Sequence, residues 1–433
     1  MRGKFWGGVH PAGRKELSSD VPPSPCPAPA QVVIPLQQHI GRPCDPLVAV
    51  GDQVKMGQKI GDGEGMCAPV HASVSGRVTA IEERPHPSGG RCLAVVIEND
   101  FQDTYESALT PHPETGGLDA DTLIESIREA GIVGMGGATF PTDIKASIGK
   151  VETLIANACE CEPYITADDV LICTDADRAI RGLLLLRQIL RPGRTVIAIE
   201  DNKARAIAVL REKLKDVPEI ELAVLPTRYP QGAEKQLIQV LTGRQVPSGG
   251  LPRDVGCAVF NIATCAFVAR AVVEGEPVLR RIVTVTGHGI REPRNLLVPI
   301  GTSFADAVAA AGGLTGPVWK VIAGGPMMGR AQRDLSAPVT KGVNAIVALT
   351  EEDNGEGAHP SCIRCGKCVA VCPMGLQPLY LYRFSRRGDT AALRRYSILD
   401  CIECGCCAYT CPGKLSIVEA IREGKTLVRK EGK

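Results

Sequence analysis

Two copies of one cysteine motif lie near the carboxyl end of the chain. Residues 362–373 read CIRCGKCVAVCP, and residues 401–412 read CIECGCCAYTCP. Each copy places three cysteines in one short loop and a fourth, followed by proline, where the chain leaves that loop. In proteins with two 4Fe-4S clusters, the fourth cysteine binds the cluster of the other motif. The motifs therefore predict two clusters with these ligands: Cys362, Cys365, Cys368 and Cys411 for cluster 1, and Cys401, Cys404, Cys407 and Cys372 for cluster 2.

A zinc ribbon is the alternative reading of these cysteines. Structural zinc sites use pairs of Cys-x2-Cys and have no need of a fourth cysteine with proline, repeated twice. The spacing therefore favours iron–sulfur clusters. Cys406 is an additional cysteine in the second motif, and we expect it to pack as a small apolar residue. Since clusters of this kind carry one electron at a time, the remaining chain is expected to supply or accept electrons.

The composition restricts the remaining possibilities. A chain of 433 residues is long enough for two to four domains. Its 49 basic and 48 acidic residues nearly balance, so nothing indicates a nucleic-acid or membrane-surface protein. Eighteen cysteines in a chain without an export signal predict a reducing, cytoplasmic compartment and metal ligands rather than disulfides. The most apolar segments are short and interrupted by arginine, so no transmembrane segment is predicted.

The amino-terminal part contains two different patterns. Residues 1–30 include the proline-rich DVPPSPCPAPA and predict an extended segment. Residues 31–100 show short runs of alternating valine and isoleucine between glycine turns, which predict short strands. Their VGDQVKMGQKI resembles the barrel-sandwich hybrid of lipoyl and biotinyl carrier domains. The expected hairpin tip, GDGEGMCAPV, has no lysine to carry a cofactor, so we expect a structural module.

The middle of the chain alternates between helical and strand patterns. Over residues 118–280, β-branched runs such as RTVIAIE are separated by stretches such as NKARAIAVLREKLK, which predicts a parallel α/β sheet. Residues 281–350 predict a small α+β module. The acidic linker TEEDNGEGAHPS then leads to a ferredoxin-like cluster domain at 358–433. The expected fold class is thus multidomain α/β and α+β.

A glycine-rich loop begins the segment GMGGATFPTDIK. Gly134, Gly136 and Gly137 lie within one turn, where backbone N–H groups can approach a phosphate or a flat ring. The loop is not a dinucleotide fingerprint, because Thr139 stands where the third glycine is required and the loop follows a helix. By itself it leaves a structural turn and a nucleotide site equally open.

Five motifs in the same order resemble a known family: GMGGATFPTDIK, NACECEPYITADD, YPQGAEKQLI, GGPMMG and the doubled cysteine motif. Together they resemble the RnfC family of the Rnf electron-transport complex, a ferredoxin:NAD oxidoreductase coupled to ion pumping. The glycine loop and the NACECEP run also resemble the NADH-binding flavoprotein subunit of respiratory complex I. In that comparison, residues 281–350 resemble its SLBB β-grasp domain.

The resemblance implies a non-covalent FMN with NAD(H) stacked above it. Hydride would pass between nicotinamide and flavin directly, so no catalytic side chain is expected. The sequence departs from the complex I pattern at Ala233, Cys159 and Phe260, and the resemblance does not require Cys159 or Cys161 as ligands. The implied contacts are Gly134, Gly136, Gly137, Lys145, Asn157, Glu160, Gly232, Asn261 and Thr264 for FMN, and Phe140, Glu162 and Glu234 for NAD(H).

These cofactors together imply a protein that links the two-electron hydride transfer of NAD(H) to the one-electron transfer of iron–sulfur clusters. The resemblance implies that the chain works with the other subunits of a membrane complex, receives ferredoxin-derived electrons through them, and lies peripherally on the cytoplasmic side. Two alternatives stay open. One is the soluble cobalamin reductase of diol-degrading microcompartments, which has the same cofactors. The other is a non-catalytic electron-relay protein that has lost nucleotide binding.

Overall fold

The computed structural model describes residues 4–353 and 361–431. The predicted amino-terminal segment and cluster domain each extend beyond these limits, and residues 354–360 of the predicted acidic linker lie outside the described residues. The amino-terminal segment is extended and packed against the protein. Phe5 is buried, Val9 bridges to Tyr229, and β1 (Ser24–Pro25) adds a short strand to a sheet formed mainly by residues beyond position 280.

Two antiparallel sheets enclose the core of the next domain, as expected for a barrel-sandwich hybrid. One sheet has the strand order β2-β8-β7-β4 and the other the order β3-β5-β6. Alternate residues of β2, such as Val32 and Ile34, join Ile60 and Val70 of the second sheet in one apolar core. The strands are β2 (Gln31–Pro35), β3 (Asp45–Pro46), β4 (Gln53–Val54), β5 (Lys59–Asp62), β6 (Val70–His71), β7 (Gly76–Pro85) and β8 (Arg91–Asn99).

The α/β domain contains a parallel sheet of four strands in the order β11-β10-β9-β12. Its first helix begins after Asp119, whose carboxylate accepts a hydrogen bond from Thr122 N. The elements are α1 (Ala120–Glu129), α2 (Thr142–Ala146), β9 (Thr153–Ala158), α3 (Ala167–Leu190), β10 (Arg194–Glu200), α4 (Ala204–Lys213), β11 (Ile220–Leu225), α5 (Glu234–Thr242), β12 (Cys257–Asn261) and α6 (Ile262–Ala269). Because the strands are parallel, β9 and β12 end at the same edge of the sheet.

A six-stranded mixed sheet with one helix follows, in the order β1-β14-β13-β17-β15-β16. Strand β13 pairs with β14 in antiparallel and with β17 in parallel orientation. Phe304 and Val308 of the helix pack into the core of this sheet. The elements are β13 (Arg280–Thr286), β14 (Arg294–Pro299), α7 (Phe304–Ala310), β15 (Lys320–Ala323), β16 (Arg330–Gln332) and β17 (Ala345–Leu349).

The described part of the cluster domain is helical. Its helices are α8 (Lys367–Ala370), α9 (Pro378–Arg387), α10 (Thr390–Arg395), α11 (Cys406–Tyr409) and α12 (Ile417–Lys430). Leu381, Leu393, Ile398 and Ile421 form its apolar centre. Across residues 4–353 and 361–431, no helix has both the length and the apolar character that a bilayer span requires.

Candidate functional site

The glycine-rich loop is closed by its own backbone and fixed to two other segments. Gly134 N donates to Phe140 O at 2.9 Å. Met135 N donates to Thr264 Oγ1 at 3.0 Å, and the buried Arg281 guanidinium donates to Met135 O at 3.1 Å. The loop is therefore held by its own backbone and by contacts with α6 and β13.

Two glycines of this loop differ in what surrounds them. A Cβ added at Gly136 would lie 2.5 Å from Asn261 Nδ2, so glycine is needed there for close packing against the end of β12. A Cβ added at Gly137 would meet no atom of the described protein within 4 Å. The Gly137 side of the loop is thus an exposed backbone surface that a flat ligand can approach.

The carboxyl edge of the sheet brings Asn157, Gly232 and Asn261 together. Asn157 and Asn261 are paired at the ends of β9 and β12. Asn157 Nδ2 donates to Gly232 O at 2.8 Å, while its Oδ1 accepts from Cys159 N at 3.0 Å. Asn261 Oδ1 accepts from Thr264 N at 3.3 Å and so begins α6. These predicted flavin contacts occupy one surface of the sheet edge.

Two buried acidic residues, Glu160 and Asp168, are linked by hydrogen bonds to each other and, through Asp168, to Asn261. Glu160 Oε1 accepts from Asp168 N at 2.8 Å, and Asp168 Oδ2 accepts from Asn261 Nδ2 at 2.6 Å. Burial, followed by the charge of Glu160, raises the pKa of Asp168. The other carboxylate oxygen, Glu160 Oε2, is buried and has no hydrogen-bond partner among the described residues. An unpaired buried acceptor fits a ligand that carries N–H or O–H donors.

Lys145 and Glu234, predicted for different ligands, form an ion pair. Lys145 Nζ lies 2.6 Å from Glu234 Oε1, and it lies 5.4 Å from the centre of the Phe260 ring. Phe260 stands where the complex I pattern has asparagine, so a cation–aromatic contact replaces an amide there. Phe140, the predicted nicotinamide contact, is half-buried at the end of the glycine loop.

Glu162 has partners in the GGPMMG segment. Its carboxylate accepts from Met327 N at 3.1 Å and from Met328 N at 2.8 Å. Tyr229 Oη lies 3.4 Å from the same carboxylate and donates to Cys404 O at 2.7 Å. Burial raises the pKa of Glu162 to about 7. Glu162 therefore joins the predicted nucleotide region to the second cysteine loop.

The cysteines of the two motifs line two separate cavities. The first cavity is lined by Cys372 together with Cys401, Cys404 and Cys407. The second is lined by Cys411 together with Cys362, Cys365 and Cys368. Three of the four predicted ligands in each cavity thus come from one motif and the fourth comes from the other, which is the grouping that the spacing predicts; Cys406 lines the first cavity as a fifth cysteine. Four converging thiols fit a 4Fe-4S cluster, which cysteine thiolates bind.

Both motifs have the same backbone conformation. Arg364 and Glu403 have φ of 57°, and Gly366 and Gly405 have φ of 73° and 80°. In the second motif Glu403 N donates to Cys401 Sγ at 3.4 Å. Cys406 is fully buried, with its thiol 4.0 Å from Tyr229 O, in agreement with its expected packing role. Its side chain also lines the first cavity.

Three further residues belong to the site although their roles are not visible in the sequence. Lys15 donates through Nζ to the carbonyls of Glu160 at 2.8 Å and Glu162 at 2.7 Å. Burial lowers the pKa of this lysine to about 8. Arg281 fixes the glycine loop, and Tyr229 contacts the cysteine loop. Tyr229 lies within the quoted YPQGAEKQLI motif, whereas Lys15 and Arg281 lie in segments without a distinctive pattern.

Four domain families match the chain in the order of its domains. They are the RnfC barrel sandwich hybrid domain over residues 3–102, the Nuo51 FMN-binding domain over 127–270, the SLBB domain over 282–331 and the 4Fe-4S dicluster domain over 361–414. The fold and its site therefore define an iron–sulfur flavoprotein built like the NADH-binding subunit of complex I.

Curated relatives cover nearly the whole chain. The RnfC-type component of the Na(+)-translocating ferredoxin:NAD(+) oxidoreductase complex of Acetobacterium woodii is 44% identical over 98% of this chain and 96% of its own length. The corresponding component of the proton-translocating complex of Clostridium ljungdahlii is 44% identical over 100% of this chain and 95% of its own length. The chain belongs to the RnfC family of ion-translocating ferredoxin:NAD(+) oxidoreductase complexes.

A solved structure supports the architecture. The NAD+-reducing NiFe-hydrogenase in the H2-reduced state aligns with a TM-score of 0.50 at 19% identity, covering 74% of this chain and 64% of that chain. At this identity the likeness concerns the fold alone.

Proposed function

We propose that this chain is the NAD(H)-binding subunit of an ion-translocating ferredoxin:NAD oxidoreductase, and that it exchanges hydride at FMN and single electrons at two 4Fe-4S clusters. FMN, when bound, accepts a hydride as an electron pair and releases electrons one at a time. The observation that carries the proposal is the contact between the two regions. Tyr229 Oη donates to Cys404 O at 2.7 Å, and three residues further on Gly232 accepts from Asn157.

The flavin pocket is assigned to the glycine loop and the sheet edge. Gly134, Gly136 and Gly137 present backbone to the ring, and Asn157, Gly232, Asn261 and Thr264 hold this surface in place. Glu160 Oε2, buried and unpaired among the described residues, accepts a donor from the ring system. Lys145 supplies a positive charge for the flavin phosphate or for a reduced, anionic ring.

Phe140, Glu234 and Glu162 are assigned to NAD(H). The half-buried Phe140 offers an aromatic face at the loop end. Glu234 is paired with Lys145 in the described structure, and its second oxygen is assigned to a ribose hydroxyl. Glu162 already accepts two backbone N–H groups, so its role here is to bind nucleotide and to fix the GGPMMG segment at the same time.

The clusters are assigned to the two cavities. Cluster 2 is bound by Cys401, Cys404, Cys407 and Cys372, and the contact of Cys404 with Tyr229 supports its position next to the flavin pocket in the electron route. Cluster 1 is bound by Cys362, Cys365, Cys368 and Cys411. Because Cys362 and Cys365 are exposed, cluster 1 is the one that exchanges electrons with partner proteins.

The working location is part of the same proposal. The chain is a peripheral subunit on the cytoplasmic side of the membrane, associated with the other subunits of the complex. Ferredoxin-derived electrons reach it through those subunits and leave as NADH, and the reverse direction uses the same residues.

Anaerobic addition of NADH to the purified, iron-loaded chain tests this function. Prompt bleaching of the flavin absorption is the expected result. No bleaching in protein with full flavin occupancy would overturn the enzyme assignment and support a non-catalytic relay protein. A microcompartment cobalamin reductase would also bleach, but it would not purify with integral membrane proteins from its native cells.

A further inference from the structure

A second group of soft metal ligands lies in the barrel-sandwich domain, away from both cysteine motifs. His39 and Cys44 lie in the loop between β2 and β3, and Cys67 lies in the loop between β5 and β6. Their ligating atoms all lie within 4.8 Å of one another. Cys44 Sγ is 3.4 Å from Cys67 Sγ and 4.0 Å from His39 Nε2. The three residues are 5%, 3% and 1% exposed.

The imidazole of His39 is oriented for coordination through Nε2. Its Nδ1 lies 3.3 Å from Ile40 O, and its Nε2 lies 3.1 Å from Ala68 N. Since an amide N–H can only donate, the lone pair is on Nε2 and the proton is on Nδ1. Metal-binding histidines commonly show this arrangement, with the Nδ1–H fixed by a carbonyl. An ion bound at Nε2 would take the position of the Ala68 N–H, so the loop that contains Ala68 would have to shift slightly.

The charge of the three side chains also fits a divalent ion. Two buried thiols by themselves would remain neutral, since burial raises the pKa of Cys44 to about 12. Two thiolates and a neutral imidazole around a divalent cation give an uncharged centre, which an apolar core accommodates. Buried thiols often pack as small apolar groups. An imidazole directed at two of them adds the third member of a nitrogen and sulfur set that zinc prefers.

We propose that His39, Cys44 and Cys67 bind one Zn²⁺ ion, and that this ion has a structural role. Zinc in proteins is usually tetrahedral, so three side chains leave one position. Ala68 O lies 3.4 Å from Cys44 Sγ, and this carbonyl or a water takes the fourth position. The proposal requires no redox step and does not depend on the flavin assignment.

The ion would join two loops, one of which contacts the glycine-rich loop while the other is linked through Lys341 to the end of α1. Ile40 N, next to His39, donates to Thr139 O at 3.2 Å. Lys341 Nζ donates to Pro69 O at 2.5 Å and to Gly131 O at 2.6 Å, which joins the Cys67 loop to the end of α1. Zinc bound here would therefore stabilise the contact of the barrel-sandwich domain with the proposed flavin loop.

The test is metal analysis of the full-length, iron-loaded protein after growth with added zinc. Inductively coupled plasma mass spectrometry should find about one zinc per chain in the wild type. Cys44→Ala and Cys67→Ala should lose it, while iron content stays unchanged. Cys26→Ala is the matched control, because Cys26 is also a buried thiol, 7% exposed, but lies outside the group. This variant should keep its zinc.

X-ray absorption at the zinc edge of the wild type tests the same site without a variant. It should find two sulfur ligands at about 2.3 Å and at least one nitrogen or oxygen ligand at about 2.0 to 2.1 Å. Three or four sulfur ligands would mean zinc in vacant cluster loops and would overturn the proposal. The proposal would also be overturned if the wild type contained no zinc or contained copper instead of zinc. Zinc retained in Cys67→Ala, or a Cys44–Cys67 disulfide in the freshly isolated protein, would overturn it as well.

Discussion

The two proposed cofactor regions are built in different ways. The cluster cavities take all eight predicted ligands from two short motifs that have the same local backbone turn. The flavin pocket takes its walls from a glycine loop, two strand ends and a helix start that only the tertiary fold brings together. A cluster is therefore expected to depend on single cysteines, whereas flavin binding is distributed over many weaker contacts.

The largest expected effect is the loss of a single cluster. Cys372→Ser should damage the cluster bound mainly by Cys401, Cys404 and Cys407, although Cys372 belongs to the other motif in sequence. The reason is that its thiol lines the first cavity. Low-temperature electron paramagnetic resonance of the reduced variant should show this signal missing or converted to a three-iron form.

Cys365→Ser is the control for this exchange of ligands. It should affect the other signal, since Cys365 lines the second cavity. If Cys372→Ser and Cys365→Ser removed the same signal, each motif would bind its own cluster and the proposed pairing would be wrong.

The next effect concerns flavin retention. Gly137→Ala adds a Cβ that meets no atom of the described protein within 4 Å, so the flavin-free protein should keep its melting temperature. Flavin affinity should fall by about 1 to 3 kcal/mol, because the methyl group occupies the surface that the ring approaches. Fluorescence titration with FMN measures this loss.

Gly136→Ala sharpens the comparison between the two glycines. Its Cβ would lie 2.5 Å from Asn261 Nδ2, so the flavin-free protein itself should be destabilised. Unchanged FMN affinity in Gly137→Ala would place the ring away from this side of the loop.

A smaller effect is expected at the contact between the two regions. Tyr229→Phe removes the hydrogen bond to Cys404 O, which is worth about 0.5 to 1.5 kcal/mol, and leaves the ring in place. The midpoint potential of cluster 2 should shift while that of cluster 1 stays constant, as measured by a redox titration of both signals. Equal shifts of both clusters would contradict a local role of Tyr229.

The last effect concerns the pH dependence of stability at Glu162. Burial raises its pKa in the folded state from 4.5 to about 7, so the folded protein favours the protonated form. The protonated Glu162 carboxyl therefore favours the folded state. This stabilisation is complete below about pH 4.5 and is lost as the pH rises through about 7. Glu162→Gln cannot titrate and should show a flatter dependence of melting temperature between about pH 5 and 8. Parallel curves for the variant and the wild type would exclude this contribution.

Sequence patterns were sufficient where the information is local. The repeated spacing predicted the same cysteine groups that line the two cavities, and the alternation of strand and helix patterns predicted the parallel sheet. The contacts of Glu162 with Met327 and Met328 were not predictable, because they join positions 165 and 166 residues apart. The same holds for Lys145 with Glu234 and for the group of His39, Cys44 and Cys67, since tertiary packing decides which distant side chains meet.

The central claim is that electrons pass between the clusters and NAD(H) through FMN. The most direct measurement is a single turnover, in which anaerobic protein with reduced clusters and no excess reductant is mixed with NAD+. The account predicts that both cluster signals disappear as NADH forms, and that removal of FMN leaves the clusters reduced. Reoxidation of the clusters at the same rate in flavin-free protein, or NADH formation while the cluster 2 signal persists, would contradict it.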